Sequence, residues 1–281
     1  MEKKFLIGLD LDGTVFTEDK KITEKTRKVL AEANDEGAEI VFLSGRPFTG
    51  ITEEILNFPN THYLVTSNGA LTIDPAEKKL IHGNYLKDLF VYRTIDRIKE
   101  IDNVLFTVFM YGIGFMDEEG YEKLVKKYEN THLYSYMKES RKPVPDLART
   151  VIDMREEGYG VENIWLLADE VAVRDQIYEE FSGEDVNLLR TSPKDLEMVS
   201  PKADKGTELL YIAEHMGIAK ENILAIGDSE NDQGMIKAAG CGVAMANATE
   251  GTKAVADDIT DDNEHDGVAK AIEKFLNERM G

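Results

Sequence analysis

The chain has 281 residues, 42% hydrophobic and 31% charged, a globular balance with room for one large domain or a core plus a second module. Its 54 acidic and 33 basic residues leave a net charge of −21, which repels nucleic acid and anionic membranes and works against any anionic substrate unless the site supplies local positive charge. No apolar run approaches the roughly 18–20 residues of a membrane span, no secretory leader is readable at the N-terminus, and one cysteine, Cys241, allows no internal disulfide. The expectation is a cytoplasmic protein that engages neither nucleic acid nor membrane, with Cys241 a small buried core residue.

In chain order, 5–11 reads as a strand apolar on both faces, breaking off at Asp10-Leu11-Asp12-Gly13-Thr14. The spacing of Val29, Leu30 and Ala33 predicts a helix over 23–36, with Thr23 as its N-cap and Gly37 as its stop. Strands follow at 38–43, ending in Ser44-Gly45-Arg46-Pro47, and at 63–66, ending in Ser67-Asn68-Gly69. The middle changes character: a strand at 104–111, a helix at 119–128, a loop marked by Pro143 and Pro145, a strand at 163–167, a helix through Tyr178, and a strand pair at 186–189 and 196–199. The first grammar then returns, with a helix at 205–215 and a strand at 222–226 that ends in Gly227-Asp228-Ser229-Glu230-Asn231-Asp232. A short helix at 235–239, a strand at 242–245, an acidic solvated turn within 256–266 and a helix at 268–278 complete the chain. Strands alternating with helices imply an α/β fold: a Rossmann-like parallel-sheet core, 1–82 plus 201–281, interrupted by an inserted α/β domain, 83–200. In such sheets ligands bind beyond the carboxyl ends of the strands, which is where every polar cluster falls.

Asp10 and Asp12 are two residues apart, so strand geometry points both carboxylates the same way. Two buried carboxylates repel, and one must hold a cation or a proton. Gly13 permits a tight turn and Thr14 can bond a neighbouring carboxylate. At average residue usage these four fixed residues recur by chance in roughly a few per thousand chains of this length. Asp228 could complete an oxygen-rich site of the kind that suits Mg²⁺, although Asp and Ser are also ordinary helix caps. Asn231 could donate to a phosphate or orient a carboxylate, and Asp232 is expected to stand behind the ligands. Ser44 and Gly45 offer a hydroxyl and backbone N–H groups for an anion; Arg46 could reach substrate or, equally, a surface carboxylate. Lys205 opens a helix, where the dipole disfavours a cation, and on type and position alone it reads as a solvated lysine.

Taken together, Asp10-Leu11-Asp12-Gly13-Thr14, Ser44-Gly45-Arg46, Lys205-Gly206 and Gly227-Asp228-Ser229-Glu230-Asn231-Asp232 resemble the four motifs of the haloacid dehalogenase superfamily of phosphohydrolases. Gly242-Val243-Ala244-Met245, Asn247-Ala248 and the run from Thr260 through Asn263 to Asp266-Gly267 are similar to its Cof-type branch, which carries a large cap between the second and third motifs. The likeness spans about 160 core residues; Ala246 and Gln233-Gly234 depart from the branch pattern without touching a proposed ligand, and the insert holds no recognisable motif. The resemblance implies a Mg²⁺-dependent phosphatase in which Asp10 is the nucleophile and Asp12 the acid/base. Mg²⁺ would be held by Asp10, the backbone carbonyl of Asp12, and Asp228. The phosphoryl oxygens would be held by Ser44, the backbone N–H groups of Leu11 and Gly45, Lys205 and Asn231. It implies a small phosphorylated metabolite as substrate, sugar phosphates foremost, and a monomer or weak homo-oligomer. Tyr111, Tyr134, Tyr136 and Arg141 of the insert are candidates for contact with the leaving group. A sugar-phosphate mutase would use the same aspartate and is the alternative. A phosphorylatable switch needs no acid/base at Asp12, and a dinucleotide-binding module would carry its glycine loop where Asp10–Thr14 stands.

Overall fold

The computed structural model describes residues 4–280 apart from 132 and 191. The chain divides into two compact units: Met1–Gly45, Thr52–His82 and Asp204–Gly281 form the first, and Arg46–Ile51 with Gly83–Ala203 form the second. The mixed α/β class with a parallel-sheet core is the one the alternation of elements predicts. Among the described residues, no helix is long and apolar enough to cross a membrane.

In the first unit the strands lie in the spatial order Asp258–Ile259, Cys241–Ala244, Ile223–Gly227, Phe5–Asp10, Ala38–Leu43, Tyr63–Thr66, Leu71–Asp74, Lys79–Gly83. The first six pair in parallel, and Leu71–Asp74 returns antiparallel to Tyr63–Thr66. Phe5–Asp10 and Ala38–Leu43 are buried along their whole length because helices cover both sheet faces. Leu6, Val41, Leu43 and Val65 pack under the helices Lys205–Met216 and Gln233–Ala238 through Leu209, Ile212, Ala213 and Met235. The helices Glu24–Asp35 and Gly267–Met280 lie against each other, and Phe5 meets Phe275 edge-on at 5.9 Å. Glu24–Asp35 buries Thr26, Val29, Leu30 and Ala33, a single helical stripe, and Thr23 caps it by accepting from the Thr26 N–H. The acidic stretch read as a turn contains a correction: Asp258 and Ile259 form a short edge strand. Cys241 is also half-buried rather than fully enclosed.

The second unit is built on its own sheet, in the order Asn187–Leu189, Asp195–Val199, Val161–Ala168, Val104–Met110, Ile113–Asp117, Arg141–Val144. Its pairings are antiparallel up to the last, which is parallel. Period-two alternation separates two small cores. Phe106, Val108, Met110, Ile164 and Leu166 face the helices Asp88–Lys99, Leu147–Glu156 and Val171–Phe181. Phe109, Trp165 and Leu167 face the other way, against Leu124 and Met137. The loop read at Pro143 is corrected: Pro143 lies in the strand Arg141–Val144. That strand is an edge, where a residue without an N–H breaks no inner ladder.

Candidate active site

The polar clusters of the first unit all sit where parallel strands end: Asp10 closes Phe5–Asp10, Ser44 follows Ala38–Leu43, Ser67 follows Tyr63–Thr66, and Asp228 follows Ile223–Gly227. Strand register places them side by side, since Leu9 aligns with Ile226 and Phe42, and Asp10 with Leu43.

Lys205 is the pivot. None of its surface is exposed, and its Nζ donates to Asp10 Oδ1 and to Asp232 Oδ1, both at 2.6 Å. The expectation of a solvated lysine is therefore corrected: buried carboxylates 195 and 27 residues away outweigh the unfavourable dipole at the helix start. Burial by itself would push the Lys205 ammonium toward neutrality, but Asp10 and then Asp232 raise its pKa above the ordinary value. Asp204 caps the same helix, accepting from the N–H groups of Gly206 and Thr207 at 2.8 and 3.0 Å, which fixes where Lys205 starts its reach.

Asp232 has no oxygen to spare. Beyond Lys205, its Oδ2 accepts from the backbone N–H of Asp228 and Ser229 at 3.0 and 2.9 Å and from Ser229 Oγ at 3.1 Å. It holds the turn that presents Asp228. Asp228 Oδ1 accepts from Thr14 Oγ1 at 3.2 Å, the carboxylate contact expected of that threonine. Asp10 Oδ2 is buried and accepts no hydrogen bond among the described residues. Carboxylate oxygens of Asp10, Asp228 and Asp232 lie within 4.8 Å of one another. Burial first, and Asp232 second, push the Asp10 carboxyl up to about 8 against the pull of Lys205. The same two causes raise Asp228 to about 6.

Three carboxylates thus face one ammonium, an excess that one divalent cation would neutralise. Among the described residues, the oxygens of the group not already committed to a donor are Asp10 Oδ2 and Asp228 Oδ2, and no imidazole or thiolate joins it. Such an all-oxygen set fits a hard cation of the Mg²⁺ type rather than a thiolate-preferring metal.

Asp12 stands apart from this cluster. The strand ends at Asp10, so the two-residue period no longer governs the turn that follows, and the Asp12 carboxylate accepts from Lys20 Nζ at 2.8 Å. Leu11 is fully buried and its carbonyl accepts from the Phe16 N–H at 2.9 Å, closing the turn. Ser44 is buried beside it, its N–H donating to the Val65 carbonyl at 2.9 Å, and Gly45 follows half-buried. Arg46 donates to the Gly50 carbonyl at 3.3 Å within the second unit. Asn231 donates through Nδ2 to Asn68 Oδ1 at 2.8 Å, while its own Oδ1 accepts from Ser229 Oγ at 2.6 Å.

Several participants were passed over in the sequence. Asn68 was noted only as the end of a strand, although Ser67 and Asn68 both adopt positive φ, 50° and 56°, a signal of a special turn that only the backbone reveals. Asn247 and Asn263 stand out in the sequence only through the family resemblance. They donate to the carbonyls of Gly13 and Phe16 at 2.8 and 2.9 Å and so tie the distant C-terminal loops onto the Asp10 turn. In the second unit, Arg141 is 4% exposed rather than surface-facing, its guanidinium 4.9 Å from the Trp165 ring and 5.2 Å from Phe109. Tyr111 is half-buried with its ring 5.0 Å from that of Tyr159, Tyr134 lies 5.6 Å beneath the Lys138 ammonium, and Tyr136 borders Arg141 at 5.7 Å.

Residues 7–272 match the family model of haloacid dehalogenase-like hydrolases. Two proteins of Bacillus subtilis strain 168, the 5-amino-6-(5-phospho-D-ribitylamino)uracil phosphatases YcsE and YitU, are 29% and 28% identical to this chain. The alignments cover 96% and 98% of this chain and 95% and 98% of the respective relatives. The crystal structure of a haloacid dehalogenase-like hydrolase from Bacteroides thetaiotaomicron superposes with a TM-score of 0.79 at 28% identity, covering 97% of this chain and 99% of that one.

Proposed function

The chain belongs to the haloacid dehalogenase-like hydrolases and is an enzyme of their phosphatase kind; on that premise we propose that it is a Mg²⁺-dependent phosphatase of small phosphorylated metabolites, sugar phosphates foremost. The observation that carries this reading is Asp10: one buried carboxylate oxygen is steadied by Lys205, and the other accepts no hydrogen bond among the described residues. A nucleophile needs that combination of fixed position and a free lone pair.

Asp10 attacks phosphorus, and the leaving alkoxide takes a proton from Asp12. Water, deprotonated by Asp12, then attacks the phosphorus of the aspartyl phosphate, releasing phosphate and restoring Asp10. Asp12 is half-exposed and paired with Lys20, within reach of solvent protons. Lys205, Ser44, the N–H groups of Leu11 and Gly45, and Asn231 hold the phosphoryl oxygens, whose charge spreads as the group transfers. Asp10, the Asp12 carbonyl and Asp228 would hold Mg²⁺, which supplies the positive charge that the carboxylate excess calls for. The names of the two Bacillus subtilis relatives specify a phosphoribityl compound, which supports a small phosphorylated polyol or sugar as the substrate class.

The test is phosphate release across a broad panel of phosphorylated metabolites with Mg²⁺. Turnover of sugar phosphates is expected, with Asp10→Asn at background and Asp12→Ala lowered by about 10²–10⁴-fold in kcat. Unimpaired turnover by Asp10→Asn would sink the mechanism. Transfer to a second sugar without phosphate release would favour a mutase.

A further inference from the structure

The turn Ser67–Gly69 touches three of the loops assigned above to the phosphoryl group, those of Ser44–Gly45, Lys205 and Asn231. The Asn68 N–H donates to the Ser44 carbonyl at 3.0 Å. The Asn68 side-chain amide lies against Gly45, where a Cβ would fall 3.0 Å from Oδ1 and 3.4 Å from Nδ2. Gly69, at φ 95°, backs so closely onto Asp204 that a Cβ would meet its backbone at 2.6 Å, and Asp204 caps the helix that begins with Lys205. Asn68 Oδ1 accepts from Asn231 at 2.8 Å. Two consecutive non-glycine residues held at positive φ are costly and persist where the surroundings over-determine them.

The hydrogen bonds also have a direction. The Ser229 hydroxyl finds its nearest acceptor in Asn231 Oδ1, at 2.6 Å, which turns the Asn231 amide N–H toward Asn68 Oδ1. With its oxygen so engaged, Asn68 is left with Nδ2 as a donor, and no hydrogen bond from Nδ2 is formed among the described residues. The residue is only 7% exposed. A largely buried amide donor wants an acceptor, and it adjoins Gly45, whose N–H is assigned above to the phosphoryl group.

We propose that Asn68 is a further phosphate-binding residue, its Nδ2 donating to a phosphoryl oxygen beside Ser44 and Gly45, with Ser229 and Asn231 as the positioning residues that set its orientation. The proposal rests on the reading of this site as a phosphatase site. It makes Asn231 act partly through Asn68 rather than solely by direct contact, and it gives the strained turn a reason to be kept.

Two variants separate the amide from the turn. Asn68→Gly accepts the positive φ and removes only the side chain. Asn68→Asp keeps the acceptor for Asn231 and replaces the donor with an anionic oxygen. The probe is inorganic phosphate, titrated calorimetrically into the Mg²⁺-supplemented full chain, with turnover of p-nitrophenyl phosphate and the thermal midpoint measured alongside. Asn68→Gly is expected to weaken phosphate binding by about 10-fold or more, the scale of one hydrogen bond to a charged group, and Asn68→Asp to weaken it further, both with the wild-type melting profile. Wild-type phosphate affinity in Asn68→Gly overturns the proposal, as does absence of phosphate binding by the parent protein. The phosphatase reading fails separately: a parent that binds phosphate but releases none from any monoester refutes it. A weakened Asn68→Gly would then still establish the anion site.

Discussion

Lys205 begins a helix, the place where a macrodipole least favours an ammonium, yet it is wholly enclosed between Asp10 and Asp232. Removing one member of a buried ionic group strands the others. We therefore expect Lys205→Met to lower stability by about 3–5 kcal/mol in chelated buffer, read by urea denaturation. The double variant Lys205→Met/Asp232→Asn should recover a substantial part of that loss, because one stranded charge is gone. Equal stability of the single and double variants would show that the pairing with Asp232 is unimportant. This residue also marks where sequence reading stops. Its partners lie 195 and 27 positions away, so local pattern sees only a lysine at a helix start, and the four-motif resemblance alone singled it out. Asp10 was legible because a buried apolar strand ending in a carboxylate is a conflict visible in one short segment. Asp12 was half legible: its presence was clear, but its side-chain direction was not, since the strand period lapses two residues too early.

At the level of elements, the helix Lys205–Met216 is aimed by its cap. The Asp204 carboxylate takes the free N–H groups of Gly206 and Thr207, and the Cys- and His-free cluster depends on where that first turn lies. Asp204→Ala should cost about 1 kcal/mol in thermal or urea unfolding, and because Lys205 then loses its fixed origin, kcat should fall while the fold persists. A stability loss with unchanged kcat would assign Asp204 to the helix alone. The long parallel strands of the first unit were readable since they are continuous apolar runs closed by Gly, Ser or Asp, whereas the strands Leu71–Asp74 and Lys79–Gly83 were not read. Those of the second were read less completely. The strand Ile113–Asp117 was missed because its hairpin turns at Tyr111, held at φ 52°, where a pattern search looks for Asn or Gly. The helices Asp88–Lys99 and Leu147–Glu156 were missed as well, their buried stripes being diluted by charged residues that pair across the surface, such as Arg155 with Asp88. Pro143 misled in a different way, since a proline counts against a central strand but not against an edge.

For the whole molecule the decisive quantity is the charge. A net −21 opposes the approach of a phosphate monoester, itself an anion, while the compensating Lys205 is buried and projects little field into solvent. The site's attraction is thus short-ranged and the surface's repulsion long-ranged. Salt acts unequally on the two: the screening length falls from about 30 Å at ~0.01 M to about 8 Å at ~0.15 M, which removes the far field and leaves close contacts largely intact. We expect kcat/KM for a dianionic sugar phosphate to rise several-fold, about two- to fivefold, over that range, with kcat nearly constant because the bound complex no longer feels the approach barrier. Mg²⁺ must be saturating at both ends, since screening also weakens attraction of a cation to the acidic surface. The measurement is initial-rate kinetics at several sodium chloride concentrations, repeated with potassium acetate to exclude a specific anion effect. A kcat/KM that falls with salt in both series would mean that steering toward the site is attractive. An exposed cationic surface around the entrance would then have to outweigh the overall acidity.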